Sequence, residues 1–246
     1  KDLEFYDVTD DLVCLGVFGP KSRDLLSKIS TSDFSNENFK FSTGKFINIK
    51  TKKVWAQRLS YVGELGFEIY VNNNDAQEVY QLIIEEGKNH NLSHCGAHTM
   101  DTMRMEIGFL HWGHDISPED NQYEAGLNFT ISYKKEVNFI GKESLLKIKD
   151  NKKNRKFIML SLKNSKPGNP LLLHEEPIYL EDKIIGKTTS GNYSFNYKKN
   201  LSFGYVKEEY STDELVKGNI YIEIEKKKYP AIIELKPLKN KAFHLL

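Results

Sequence analysis

From Phe157 onward the chain becomes a succession of short strand-like runs cut by turn residues. The runs cover residues 157–162, 178–180, 183–188, 201–206, 220–224 and 229–235, each enriched in branched and aromatic side chains. Short strands at such spacing have few ways to bury a face each, and the economical solutions are a small closed barrel or a sandwich. The first part of the chain reads differently. An apolar run at 12–18 ends at Gly19-Pro20, and Pro20 fits the first position of a helix with Leu25, Leu26 and Ile29 on one face. Strands at 46–49 and 54–61 follow, joined by a lysine-rich turn. A capping box of Asp75 with Glu78 opens a helix ending at Gly87, and further helices cover 97–107 and 139–149. The expected fold class is α+β, with an α+β domain over 1–150 and a small β-barrel or sandwich domain over 151–246. The Lys/Asn-rich stretch 149–156 marks the junction.

Composition excludes several classes. With 246 residues, 39% of them hydrophobic and 28% charged, the chain has enough material for one large or two modest cores. The net charge of +1 gives no electrostatic case for nucleic acid. No apolar run is long enough to span a bilayer, and the opening K-D-L-E-F-Y-D-V is no signal peptide. A cytoplasmic protein without membrane or nucleic-acid partners is the expectation. The two cysteines, Cys14 and Cys95, form no C-x-x-C pair, and a reducing compartment is the default for them. His111 and His114 stand at i and i+3 beside acids, but no third spaced ligand accompanies them and no metal site is assigned. No G-x-G-x-x-G follows a strand, so no flavin or dinucleotide site is expected.

Residues 58–71 read R-L-S-Y-V-G-E-L-G-F-E-I-Y-V. Strand formers surround Gly63 and Gly66, and the result is a hairpin-like turn whose flanks carry Tyr61, Glu64 and Glu68. A carboxylate beside such a bend suits a flat heterocycle with adjacent N–H donors, since its two oxygens accept a paired hydrogen bond. An ordinary hairpin with surface acids satisfies the same spacing.

Y-x-G-E-x-G-x-E followed by aliphatics resembles the signature of the glycine-cleavage T-protein (aminomethyltransferase) superfamily. G-P-K-S at 19–22, M-D-T-M-R-M-E-I-G at 100–108, W-G-H-D-I-S-P-E-D with E-A-G-L at 112–127, T-S-G-N-Y at 189–193 and L-S-F-G-Y-V at 201–206 resemble further family motifs in the right order. The 112–127 block and V-T-D-x-L-x-x-L-G-V at 8–17 are most similar to the folate-binding C-terminal half of dimethylglycine and sarcosine dehydrogenases.

The resemblance implies tetrahydrofolate as cofactor and one-carbon transfer linked to demethylation or cleavage of a methylated glycine. Tyr61 would wall the pterin and Glu68 would pair with its 2-amino and N3 groups. Arg104 or His98 would meet the anionic tail, because Met100 stands where the T-protein carries a tail-binding arginine, and a thioether cannot grip a carboxylate. Asp101, Arg104 and Glu106 also match the pattern of an ion network within their helix. The implied partners are a methylated amine or aminomethyl donor and a flavoprotein domain or subunit. The resemblance covers the later part of the family's first domain and the barrel, and the family's catalytic Asp has no counterpart here. The catalytic residue is therefore unknown, the chain is expected to begin at an artificial or proteolytic Lys1, and the isolated chain is expected to be inactive. A tetrahydrofolate-dependent demethylase of a sulfonium compound and a non-catalytic folate-binding module are the alternative readings.

Overall fold

The computed structural model describes residues 3–150 and 153–239. Lys1 and Asp2, residues 151–152 at the expected domain junction and the end of the chain from 240 lie outside the described residues. The rest divides into two compact units, one reaching to Met100 and one over Asp101–Lys239.

The first unit is a four-stranded antiparallel sheet with helices on one face. Its strands are β1 (Leu12–Phe18), β2 (Gly44–Ile49), β3 (Lys52–Gln57) and β4 (Gly66–Asn72), in the spatial order β1-β4-β3-β2. Helices α1 (Ser22–Ile29) and α2 (Asn73–Gly87) cover it. Alternation along the strands decides the two faces. Val17, Ile47, Ile49, Val54, Ala56, Phe67, Ile69 and Val71 join Leu25, Leu26, Ile29, Val79 and Ile83 in one buried cluster. Phe34, Phe39 and Phe67 pack there with centroids 5.3–5.9 Å apart.

Three local expectations are corrected. The strand expected to reach Tyr61 ends at Gln57, since residues 58–65 leave the ladder and Gly63 takes a φ of 66°. The helix expected to start at Pro20 starts at Ser22. Helix α2 begins before Asp75, which forms no capping box with Glu78. Both carboxylates instead meet Lys52 Nζ, at 2.7 and 3.1 Å.

The second unit contains the second half of α3 (Ala97–Glu106), α4 (Lys142–Asp150), α5 (Thr212–Lys217) and six strands. These are β5 (Arg155–Leu162), β6 (Pro177–Leu180), β7 (Lys183–Ser194), β8 (Lys199–Lys207), β9 (Ile220–Ile224) and β10 (Lys227–Glu234), closed as β10-β5-β8-β7-β6-β9. Ile220, Ile222 and Ile224 show the inward period of two, meeting Leu160, Leu162, Ile178, Ile185 and Val206 in the lumen. Strand β8 is buried from Asn200 to Val206 because its outer face is covered too, with Leu201 and Phe203 packed on Met105. Residues 101–127, which the texture of the sequence groups with the preceding α+β region, therefore pack within the same compact unit as the barrel. T-S-G-N-Y, read from sequence as a loop or turn, lies inside β7 with a bulge between Thr188 and Ser190.

Helix α5 has no apolar period to announce it, and its start is set by a cap. Ser211 Oγ accepts from Glu214 N at 3.2 Å, while Glu214 accepts from Ser211 N at 2.7 Å. Ser211→Ala is expected to cost about 1 kcal/mol, read as a lower midpoint in urea unfolding. An unchanged midpoint would show that burial of Leu215 alone holds this helix.

Candidate functional site

Of the residues read from sequence, Glu68 lies on the face of the four-stranded sheet away from α1 and α2. Pairing places Glu68 opposite Gly16 on one side and opposite Gln57 on the other, and Gln57 opposite Gly44. Residues in register share a face, so Gly16, Glu68, Gln57 and Gly44 form one row across all four strands. The neighbouring row is Cys14, Tyr70, Trp55 and Phe46. The end glycines let aromatic rings approach closely. A Cβ on Gly16 would lie 2.7 Å from the Phe18 ring, and one on Gly44 would lie 2.5 Å from the Trp55 ring. Aromatic rings thus rest over both ends of the row, with one carboxylate and one amide between them.

Tyr70 Oη donates to Glu68 Oε2 at 2.9 Å. That bond, with burial and the nearby charge, pushes the Tyr70 phenol well above its ordinary value. Burial and Glu68 also push the Cys14 thiol up. The arrangement favours a neutral donor beside a carboxylate acceptor, which is what a planar ligand with N–H groups along one edge needs. Tyr61 sits in the segment 58–65 that links β3 to β4, half-buried, with Val62 and Leu65 buried beside it. His98 lies exposed in the first turn of α3, and Met100 is 39% exposed.

Arg104 belongs to the other unit and has a different job from the one expected of a tail ligand. It is fully buried. Nε and Nη2 donate to Asp101 Oδ1 at 2.7 and 2.6 Å, and Nη2 also donates to Ser190 Oγ at 2.8 Å. Nη1 donates to the Phe109 carbonyl at 3.0 Å and to Asp115 Oδ2 at 2.5 Å. These bonds use all the N–H donors a guanidinium has. Asp115 in turn accepts from Thr189 Oγ1 at 2.5 Å, from Ser190 Oγ at 2.8 Å and from His111 N at 2.9 Å. Glu106 repeats the pattern with Ser194 Oγ at 2.6 Å and Asn196 Nδ2 at 2.9 Å. The motif residues Arg104, Glu106, Asp115 and the T-S-G segment are thus one buried polar seam that fastens residues 101–115 to β7.

Sequence reasoning missed Asp115 as the centre of that seam, because the residues it joins lie more than seventy positions apart. It also missed Gln57 and Trp55, whose relation to Glu68 exists only through strand register. Among the described residues no group of three or more His, Cys, Asp or Glu side chains is arranged to hold a metal ion, and the His111 and His114 rings meet tilted at 44° with centroids 4.6 Å apart. No helix among them is long and apolar enough to cross a membrane. On the barrel wall lies an open groove of about 710 Å³, lined by His114, Asp120, Arg155, Lys187 and Tyr205 among others, and none of the sequence-read ligand residues borders it.

Comparison with known proteins agrees with this architecture. Human mitochondrial dimethylglycine dehydrogenase is 35% identical over 96% of the chain, and 4-methylaminobutanoate oxidase (formaldehyde-forming) of Paenarthrobacter nicotinovorans is 34% identical over 96%. The chain spans only 27% and 28% of those two proteins. An aminomethyltransferase of Halothermothrix orenii is 34% identical over 85% of this chain and 57% of its own length. In fold, the chain superposes on the glycine cleavage system aminomethyltransferase T from Bartonella henselae with a TM-score of 0.79 at 20% identity, covering 94% of this chain and 60% of that one. Residues 1–135 match the GCVT N-terminal domain and residues 155–239 the glycine cleavage T-protein C-terminal barrel domain. With both domains matched in order, the chain belongs to the glycine cleavage T-protein family.

Proposed function

We propose that this chain binds tetrahydrofolate on the open face of its four-stranded sheet and serves one-carbon transfer from an N-methylated amino acid. The observation that carries the reading is Glu68, held by Tyr70 at 2.9 Å in a row that ends under aromatic rings. Its carboxylate suits the 2-amino and N3–H edge of a pterin. Tyr61 is assigned to the wall of the same pocket. Tetrahydrofolate would supply the nitrogen that accepts the one-carbon unit. The chain's own contribution is to bind the ring, orient it and keep water from it.

The donor class is proposed by analogy with relatives named for dimethylglycine and 4-methylaminobutanoate, both N-methylated amino acids. A flavoprotein domain or subunit is the partner proposed to oxidise that amine. For the folate tail, the enclosed Arg104 is unsuited, and His98 on the exposed turn of α3 is the assigned residue. Titration of tetrahydrofolate into the chain under anaerobic conditions, followed by tryptophan fluorescence, tests the reading. Saturable quenching that disappears in Trp55→Phe is expected. A linear response up to millimolar ligand would sink the proposal.

A further inference from the structure

We propose that Gln57 is a second ligand-reading residue on this face and sets specificity for a ring carrying an oxo group beside its N–H edge. The inference rests on the tetrahydrofolate reading above and extends it to the choice of ring. Gln57 closes β3 directly opposite Glu68. Cross-strand partners hold their Cβ atoms roughly 4.5–5.5 Å apart on one face. The two side chains therefore rise from neighbouring positions on one face, within reach of one ligand edge.

The other surroundings leave that edge little freedom. Core-facing Ala56 and Ile69 fix which way the two strands turn, since both are fully buried in the cluster under the helices. A one-residue slip would send Gln57 and Glu68 into that core. Tyr70 occupies Glu68 Oε2, and the Phe18 and Trp55 rings bound the row at Gly16 and Gly44. Among the described residues the half-buried Gln57 side chain has no hydrogen-bond partner. A primary amide withdrawn partly from water without a partner loses hydrogen bonds that a ligand can restore.

The chemistry of the pair decides what it reads. Glu68 only accepts, whereas Gln57 offers N–H donors. Along its pyrimidine edge a pterin presents the 2-amino group, N3–H and the 4-oxo oxygen, which are two donors followed by an acceptor. Glu68 accepts from the first two and Gln57 donates to the third. A 2,4-diaminopteridine has an acceptor at N3 and a donor at position 4, so it fits this order poorly.

The test compares folic acid with aminopterin, which differ only at position 4, using ligand-observed NMR on the 246-residue chain so that weak binding is measured. The unaltered chain should prefer folic acid by about tenfold. Gln57→Glu should weaken folic acid at least about tenfold while sparing aminopterin, because a carboxylate repels the oxo group and accepts from the amino group. Gln57→Met, which keeps the size and removes the amide, should weaken folic acid by about fivefold with an unchanged melting temperature. Equal weakening of both ligands by Gln57→Glu, or unchanged folic acid affinity in Gln57→Met, overturns the assignment. Glu68→Ala separates the two claims. Loss of binding there with indifferent Gln57 variants refutes the role of Gln57 alone. An indifferent Glu68→Ala, or no binding by the unaltered chain, removes the folate reading and this inference together.

Discussion

Arg104→Met is expected to remove about 3–5 kcal/mol of stability, the largest effect of any single substitution discussed. The guanidinium is enclosed and donates to Asp101, Asp115, Ser190 and the Phe109 carbonyl, and it lies 5.2 Å from the Phe203 ring centroid. Methionine fills much of the volume but leaves the fully enclosed Asp115 carboxylate without its counter-charge. Stranding one member of a buried pair costs far more than the pair contributed, because the remaining charge keeps its desolvation penalty. Urea unfolding should show the loss in the transition of the unit over Asp101–Lys239. Because the chain has two compact units, the transition should be followed with probes in each, not fitted as one. Pairing the change with Asp115→Asn should recover part of the loss by removing the stranded charge. A cost below about 1 kcal/mol would mean that the seam is not closed to water, and would restore Arg104 as a candidate for the folate tail.

Glu68→Ala carries the largest expected effect on binding. Removing the carboxylate should weaken folate affinity by roughly 1.5–3 kcal/mol, the range for a hydrogen bond to a charged group. The effect should be on binding and not on folding. Glu68 is only half-buried, its backbone ladder to Gly16 and Gln57 does not depend on the side chain, and Tyr70 keeps access to solvent. Titration of a folate into the chain, with and without the change, measures the difference. Equal affinities would show that the row across the sheet is a surface feature with no part in recognition.

Much of this protein could be read without coordinates. The period-two apolar pattern at Ile220, Ile222 and Ile224, with its turn-bounded neighbours, pointed to a small barrel or sandwich, and the strands close as a barrel. The strand position of Glu68 was legible because the apolar residues around it alternate, whereas Tyr61 fell outside the strand expected to hold it. Misreadings arose where local signals competed with distant partners. Asp75 and Glu78 carry a capping-box spacing, yet Lys52 draws both carboxylates away from the helix start. Thr189 to Tyr193 has turn composition, but pairing with β8 keeps it in a strand and a bulge absorbs the irregularity. In Ser211 and Glu214 a real capping box went unread.

By itself the sequence determined the family, and through it the barrel, since the family's motifs each rest on spacing within a short stretch of chain. Only the tertiary structure decided the rest. Strand register set Gln57 beside Glu68 and put the Phe18 and Trp55 rings at the ends of their row. Burial gave Arg104 to Asp115 and Ser190, from residues eleven and eighty-six positions away. Such partnerships carry no local signature, because an ion enclosed in a core is satisfied by whichever groups the folded chain brings within about 3 Å of it.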